Sequence, residues 1–102
     1  MHTLFIFSSN LFFTAKLEAL AKQSNYIPQF IKSIDELPQN PAKIILDADH
    51  PQAIQIAQKY PKQCYIFISH IKTEYTNELK QLGCMHIYPR SLFFTQFQKI
   101  IS

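Results

Sequence analysis

The side chains of this 102-residue chain that could do chemistry are few, and they sit in short polar breaks after apolar runs. Ser8, Ser9 and Asn10 follow Thr3–Phe7. Asp47, Asp49 and His50 follow Ala42–Leu46, Ser69 and His70 follow Cys64–Ile68, and Arg90 comes just after His86–Tyr88. A nucleophilic triad can be drawn from Ser69, His70 and Asp47, but a triad is defined by geometry, which sequence does not supply. Cys64, Cys84 and His86 could meet as zinc ligands where two strands begin. Their spacing matches no finger pattern, however, and buried cysteines commonly serve as small apolar residues. His2 and His50 stand alone. The single glycine, Gly83, removes the glycine-rich phosphate cradles, which need several glycines for close backbone approach. On these residues no cofactor, no metal and no enzymatic activity is expected.

Apolar residues make up 47% of the chain and charged residues 17%, which is too apolar for a disordered segment. One domain over residues 1–102 is expected, since the length leaves room for a single core. The net charge of +3 comes from lysines spread singly, with Arg90 the only arginine, so a nucleic-acid partner is disfavoured. Cys64 and Cys84 are too few for a secreted disulfide framework, and the opening MHTLFIFSSN lacks the basic start of a signal peptide. A cytoplasmic location follows. The apolar opening is broken at Ser8, far short of the roughly 20 residues that span a bilayer.

These residues need elements to position them, and strand and helix patterns alternate along the chain. Thr3–Phe7 is a short unbroken apolar run, and Cys64–Ile68 and, around Lys43, Ala42–Leu46 repeat the signature of strands covered on both faces. Tyr26–Ile31 reads as a weaker strand and His86–Tyr88 as a short last one. Ser9 or Asn10 can cap a helix running through Gln23. Ser33–Leu37 has room for one helical turn before Pro38, so the second helix is stunted. Pro51 suits a first helical position, with Asp49 as a cap before it, and Ala53, Ile54, Ala57 and Tyr60 line a helix that Pro61 ends. A fourth helix capped by Thr73 carries Ile71, Tyr75, Leu79 and Leu82 on one stripe, and Gly83 stands where a left-handed C-cap is wanted. Ser91 can cap a last helix over Leu92–Ile101. Such alternation implies right-handed crossovers and a parallel sheet between two helical layers, with reactive groups collected at the carboxyl ends of the strands.

IILDADHP, YIFIS and LKQLGCMHIYPRSL together make the chain similar to the receiver domain of bacterial two-component response regulators, over its whole length. Receivers carry an aspartate at the end of the third strand with proline four residues later, and Asp47 and Pro51 have that spacing. Ser69 occupies the place of the family's Ser/Thr switch. Seven residues beyond Gly83, Arg90 stands where receivers keep lysine, and Ser91 replaces a proline that follows a cis peptide bond; aligning Pro89 with that proline puts Tyr88 at the lysine position. The family's acidic pair after strand one is replaced by Ser8 and Ser9. The resemblance implies an α/β, flavodoxin-like three-layer fold with sheet order 2-1-3-4-5. It makes Asp47 the vestigial phospho-acceptor position and Ser69 and Arg90 the switch-like positions. With one carboxylate left of three, Mg²⁺ would be held poorly, and phosphoryl transfer would lose the charge neutralisation it depends on. A pseudo-receiver acting by protein–protein interaction is the expectation.

Arg90 could pair permanently with Asp47 and lock the rim without phosphate. The last predicted helix is apolar over more than one stripe, so Phe93, Phe97 and Ile100 are expected on an association face. The partner would be another protein or a second copy, docked through the fourth helix, fifth strand and fifth helix, as the resemblance implies. Other readings are a small flavodoxin-like or phosphocarrier protein, or a homodimeric scaffold with no switch. Phe12, Phe13 and the missing glycine argue against a phosphate loop after strand one, and a sugar-transport phosphocarrier would want a cysteine where Ser8 stands.

Overall fold

The computed structural model describes residues 2–69 and 73–102. Its strands β1 (His2–Phe7), β2 (Tyr26–Phe30), β3 (Ile44–Asp47), β4 (Cys64–Ile68) and β5 (His86–Pro89) form one parallel sheet in the order β2-β1-β3-β4-β5. The helices are α1 (Leu11–Gln23), α2 (Ala53–Lys59), α3 (Thr73–Gln81), α4 (Arg90–Thr95) and α5 (Phe97–Ile101). This is the flavodoxin-like three-layer arrangement expected from the sequence, and a short 3₁₀ turn, Ile34–Glu36, replaces its second helix. Ser33 and Glu36 bracket that turn as a reciprocal capping box, and Pro38 follows.

The period-two alternation of a strand divides the core in two. Leu4, Ile6, Ile45 and Phe67 face α1, α4 and α5, where they meet Leu17, Ala21, Phe93, Phe94, Phe97 and Ile101. Phe5, Phe7, Ile44, Leu46, Ile66 and Ile68 face the other way, onto Ala53, Ile56 and Ala57 of α2 and Leu79 of α3. Because both faces are covered, the centres of these strands, Leu4–Phe7, Ile44–Leu46 and Ile66–Ile68, are apolar at every position. Asn10 caps α1 by accepting from the Phe12 N–H at 2.9 Å. Gly83 takes φ +101° after α3, the left-handed conformation anticipated for its C-cap.

Several boundaries depart from the sequence expectation for local reasons. Helix α2 begins at Ala53, and neither Pro51 nor Asp49 opens it. The Asp47 carboxylate accepts from the Asp49 N–H and the His50 ring from the Gln52 N–H, so the segment forms consecutive side-chain turns. The last helix is two helices. Gln96, at φ −111° and ψ 21°, separates them, and the Thr95 hydroxyl donates back to the Ser91 and Leu92 carbonyls, a contact that bends helices. Ser91 lies inside α4 and Pro89 at its cap. The described residues contain no cis peptide bond. Ile71, assigned to the stripe of the fourth helix, lies outside the described residues.

The expected association face is also corrected. Phe93 and Phe97 are 0% and 1% exposed, stacked edge-on at 5.6 Å in the aromatic core beside Phe67 and Phe94. Ile100 is half-buried against the same cluster. The break at Gln96 lets both short helices lay their rings on the sheet, and Leu92, 45% exposed, carries the outward apolar surface instead.

Candidate functional site

The register of the parallel sheet decides what can meet at its carboxyl edge. Phe7 pairs with Leu46, Asp47 with Phe67 and Ile68 with Pro89. Ser8, Asp47, Ser69 and Arg90 therefore line one rim, as the sequence led one to expect. Their contacts differ from those expected.

Asp47 closes β3 and is only 2% exposed. Its Oδ1 accepts from the Asp49 N–H at 2.9 Å and its Oδ2 from the Ser8 hydroxyl at 3.4 Å. Burial raises the carboxyl pKa above the ordinary value, and the Asp49 charge adds to this. The hydrogen bonds from Asp49 and Ser8 and the nearby His50 pull the other way without cancelling it. Asp49 itself is exposed. Ser9 is exposed as well, and with Ser8, Ile31, Lys32, His50, Pro51 and Gln52 it lines a cleft of about 380 Å³ beside the carboxylate.

His50 is buried, with its ring edge-on to Phe7 at 5.5 Å. Its Nδ1 accepts from the Gln52 N–H at 3.0 Å, which assigns the ring proton of the neutral form to Nε2. Burial lowers the imidazole pKa, and the Asp47 charge offsets part of that. Tyr75 of α3 donates its hydroxyl to the Ala48 carbonyl at 2.7 Å, tying the segment after Asp47 to the neighbouring helix. Sequence reasoning gave neither residue a role. Pro51 directly after His50 marks the turn, but the burial of His50 comes from Phe7, a contact no spacing reveals.

Arg90 does not pair with Asp47. Its Nη1 donates to the Ser69 hydroxyl at 3.4 Å and its guanidinium lies 5.0 Å above the Phe13 ring. Among the described residues the ion pair within 4 Å is Lys22–Glu18, on the exposed surface of α1. The recessed Asp47 carboxylate could be reached only by a cation willing to shed water, whereas Phe13 offers Arg90 a partner at the surface.

A receiver fold implies Mg²⁺ at this rim, and the donors present do not fit it. Mg²⁺ takes hard oxygens in near-octahedral order and is held through carboxylates. Here the hydroxyls of Ser8 and Ser9 stand where acids would be, and both Asp47 oxygens are already hydrogen-bonded. Among the described residues no three His, Cys, Asp or Glu side chains gather as a metal site. The conceivable Cys64–Cys84–His86 cluster is thus not assembled. Both cysteines are buried and free, burial pushes the Cys64 thiol up to about 12, and His86 stacks on Tyr65 at 4.3 Å. His70, the base of the drawn triad, lies outside the described residues.

No family model and no curated protein matches the sequence. Solved structures do match the fold. A response regulator receiver protein from Pseudoalteromonas atlantica superposes with a TM-score of 0.73 at 11% identity, covering 97% of this chain and 96% of its own. The non-phosphorylated HemR receiver domain from Leptospira biflexa gives 0.75 at 15% identity, over 100% and 95%. The beryllofluoride-activated NtrC4 receiver domain dimer gives 0.66 at 15% identity, over 98% of each chain. The chain has the receiver fold.

Proposed function

We propose that this chain is a pseudo-receiver, a two-component-type signalling module that works by binding another protein rather than by a metal-dependent phosphorylation cycle. The observation that carries this reading is the chemistry around Asp47. Its neighbours at the rim are the Ser8 hydroxyl and the Asp49 backbone, and Arg90 is engaged elsewhere. A carboxylate attacks a phosphoryl group as the anion, and burial without a cation works against the anion. Among the described residues no lysine or arginine pairs with Asp47 to meet the charge that would build up on the transferred oxygens. The surface offered to a partner is that of β5, α4 and α5, where His86, Tyr88, Leu92 and Ile100 border a groove of about 470 Å³. The free, buried cysteines suit a reducing, cytoplasmic compartment. Incubation with acetyl phosphate and Mg²⁺, followed by intact-mass measurement, tests the reading. An unchanged mass is expected. A gain of one phosphate that Asp47→Asn abolishes would restore an active receiver.

A further inference from the structure

At the N-terminus of α1 lies a further concavity, of about 400 Å³, lined by Asn10, Phe12, Phe13, Lys16, Arg90 and Phe94. Two cations and three aromatic rings converge there, and no carboxylate lines it. Each cation is held over a ring: the Arg90 guanidinium 5.0 Å from the Phe13 centroid and the Lys16 ammonium 5.1 Å from that of Phe94. Phe13 and Phe94 are themselves in edge contact at 5.6 Å, so the two cation–ring pairs share one rigid platform anchored in the core through Phe67.

The cations keep most of their hydrogen-bonding capacity. Among the described residues Arg90 donates only to Ser69, at the long distance of 3.4 Å, leaving most of its five N–H groups for an incoming acceptor. Lys16 has no hydrogen bond or ion pair among the described residues; Glu18, two positions on, lies on the opposite side of the helix and pairs with Lys22. Phe12 stands at the mouth, one helical turn from Lys16 and 88% exposed, with its ring stacked on nothing. Stacking platforms beside fixed cations favour ligands that join a flat π surface to an anion. The volume lies at the lower end of the range for small-molecule sites, enough for one or two rings and an acidic group.

We propose that this pocket binds a small aromatic anion of the mononucleotide class, with its phosphate between Arg90 and Lys16 and its ring on Phe12. The proposal does not depend on the pseudo-receiver reading, because none of its contacts involves Asp47.

The test is a titration of the ¹⁵N-labelled protein with adenosine 5′-monophosphate, adenosine and inorganic phosphate in parallel, observed by amide shifts. Adenosine monophosphate at millimolar concentration is expected to move the amides of residues 10–16 and 90–94, with an affinity at least about tenfold above that for adenosine or phosphate. Arg90→Gln and Lys16→Gln, both at exposed positions, should each weaken it by about tenfold, and Phe12→Ala should weaken it while leaving phosphate binding unchanged. An unaltered melting temperature in each variant excludes unfolding as the cause. Amides that do not move, equal binding of phosphate alone, or full binding by the Lys16→Gln, Arg90→Gln double variant would each overturn the proposal. So would a single-stranded oligonucleotide that binds more tightly and is insensitive to Arg90→Gln, since that would mean a site tracking a backbone.

Discussion

If the loss of carboxylates is what removes the metal from the rim, putting one back should make the stability of the fold depend on Mg²⁺. Ser8→Asp places a second carboxylate where a hydroxyl now lies 3.4 Å from Asp47 Oδ2. Two ionised carboxylates about 4 Å apart, in an effective dielectric of about 20, repel by about 4 kcal/mol. A domain of this length is stable by about 5–15 kcal/mol, so the change is large even after proton uptake and side-chain relaxation absorb part of it. The sign follows from Asp47 itself. Burial already raises its pKa, so a second negative charge raises it further, and without metal the variant melts lower at neutral pH. A dication between the two carboxylates reverses the repulsion. At a hundredfold excess over its Kd it adds about 2.7 kcal/mol to the folded state, or about 10–20 °C in a small domain. The assay is thermal unfolding by circular dichroism in EDTA and in MgCl₂. The unmodified chain should melt within about 1 °C of the same temperature in both, and Ser8→Asp should melt lower in EDTA and recover in Mg²⁺. A rise of several degrees in the unmodified chain would refute the reasoning, since the present donors would then suffice.

Phe97→Ala should destabilise by about 3–5 kcal/mol, read as a lower urea midpoint, because it removes a ring buried among Phe93 and its neighbours; an unchanged midpoint with a change in oligomeric mass would return Phe97 to an association face. Asp47→Asn keeps the acceptor for the Asp49 N–H and removes a charge that burial disfavours, so its melting temperature at pH 7 should rise. In the parent chain the Asp47 contribution falls as pH rises from its unfolded value of 3.8 through the raised folded value, and the variant should lack that loss; a lower melting temperature at pH 7 would mean that a cation pairs with Asp47. His50, its pKa lowered from 6.5, works in the opposite direction, its contribution falling as pH drops below 6.5, and both slopes should appear in melts across pH 4–8. Gly83→Ala should destabilise by about 1–2 kcal/mol, because φ +101° is strained for any side chain even though the nearest atom, Pro61 Cβ, is at an ordinary 3.5 Å; an unchanged melting temperature would mean that the backbone relaxes freely.

The parts of this fold legible in the sequence are those set by a single local rule. Thr3–Phe7, Ala42–Leu46 and Cys64–Ile68 could be assigned because consecutive apolar residues such as Ile44, Ile45 and Leu46 have nowhere to go but between two layers. The cap of α1 could be narrowed to Ser9 or Asn10 because a cap wants a short polar side chain, and Gly83 could be assigned because a left-handed turn favours glycine. What was not legible depended on a partner distant in sequence. The start of α2 moves to Ala53 because His50 turns inward onto Phe7, forty-three positions earlier, and its ring then takes the Gln52 N–H. Phe93 and Phe97 share a face by helical spacing, but spacing alone does not say whether that face meets solvent or the sheet; the structure turns it onto the sheet and leaves Leu92 outward. The rim shows the same dependence in its chemistry. Spacing placed Arg90 on the same edge as Asp47, and the pairing of opposite charges followed as an expectation. Phe13, one position into the helix beyond the exposed Phe12, gives the guanidinium a face to lie on and keeps it at the surface, while Phe7 and the core beneath keep Asp47 recessed. The separation of the acid from the base is thus enforced by aromatic residues that belong to no catalytic motif. What Arg90 can neutralise is therefore decided by the ring beside it and not by its place on the rim.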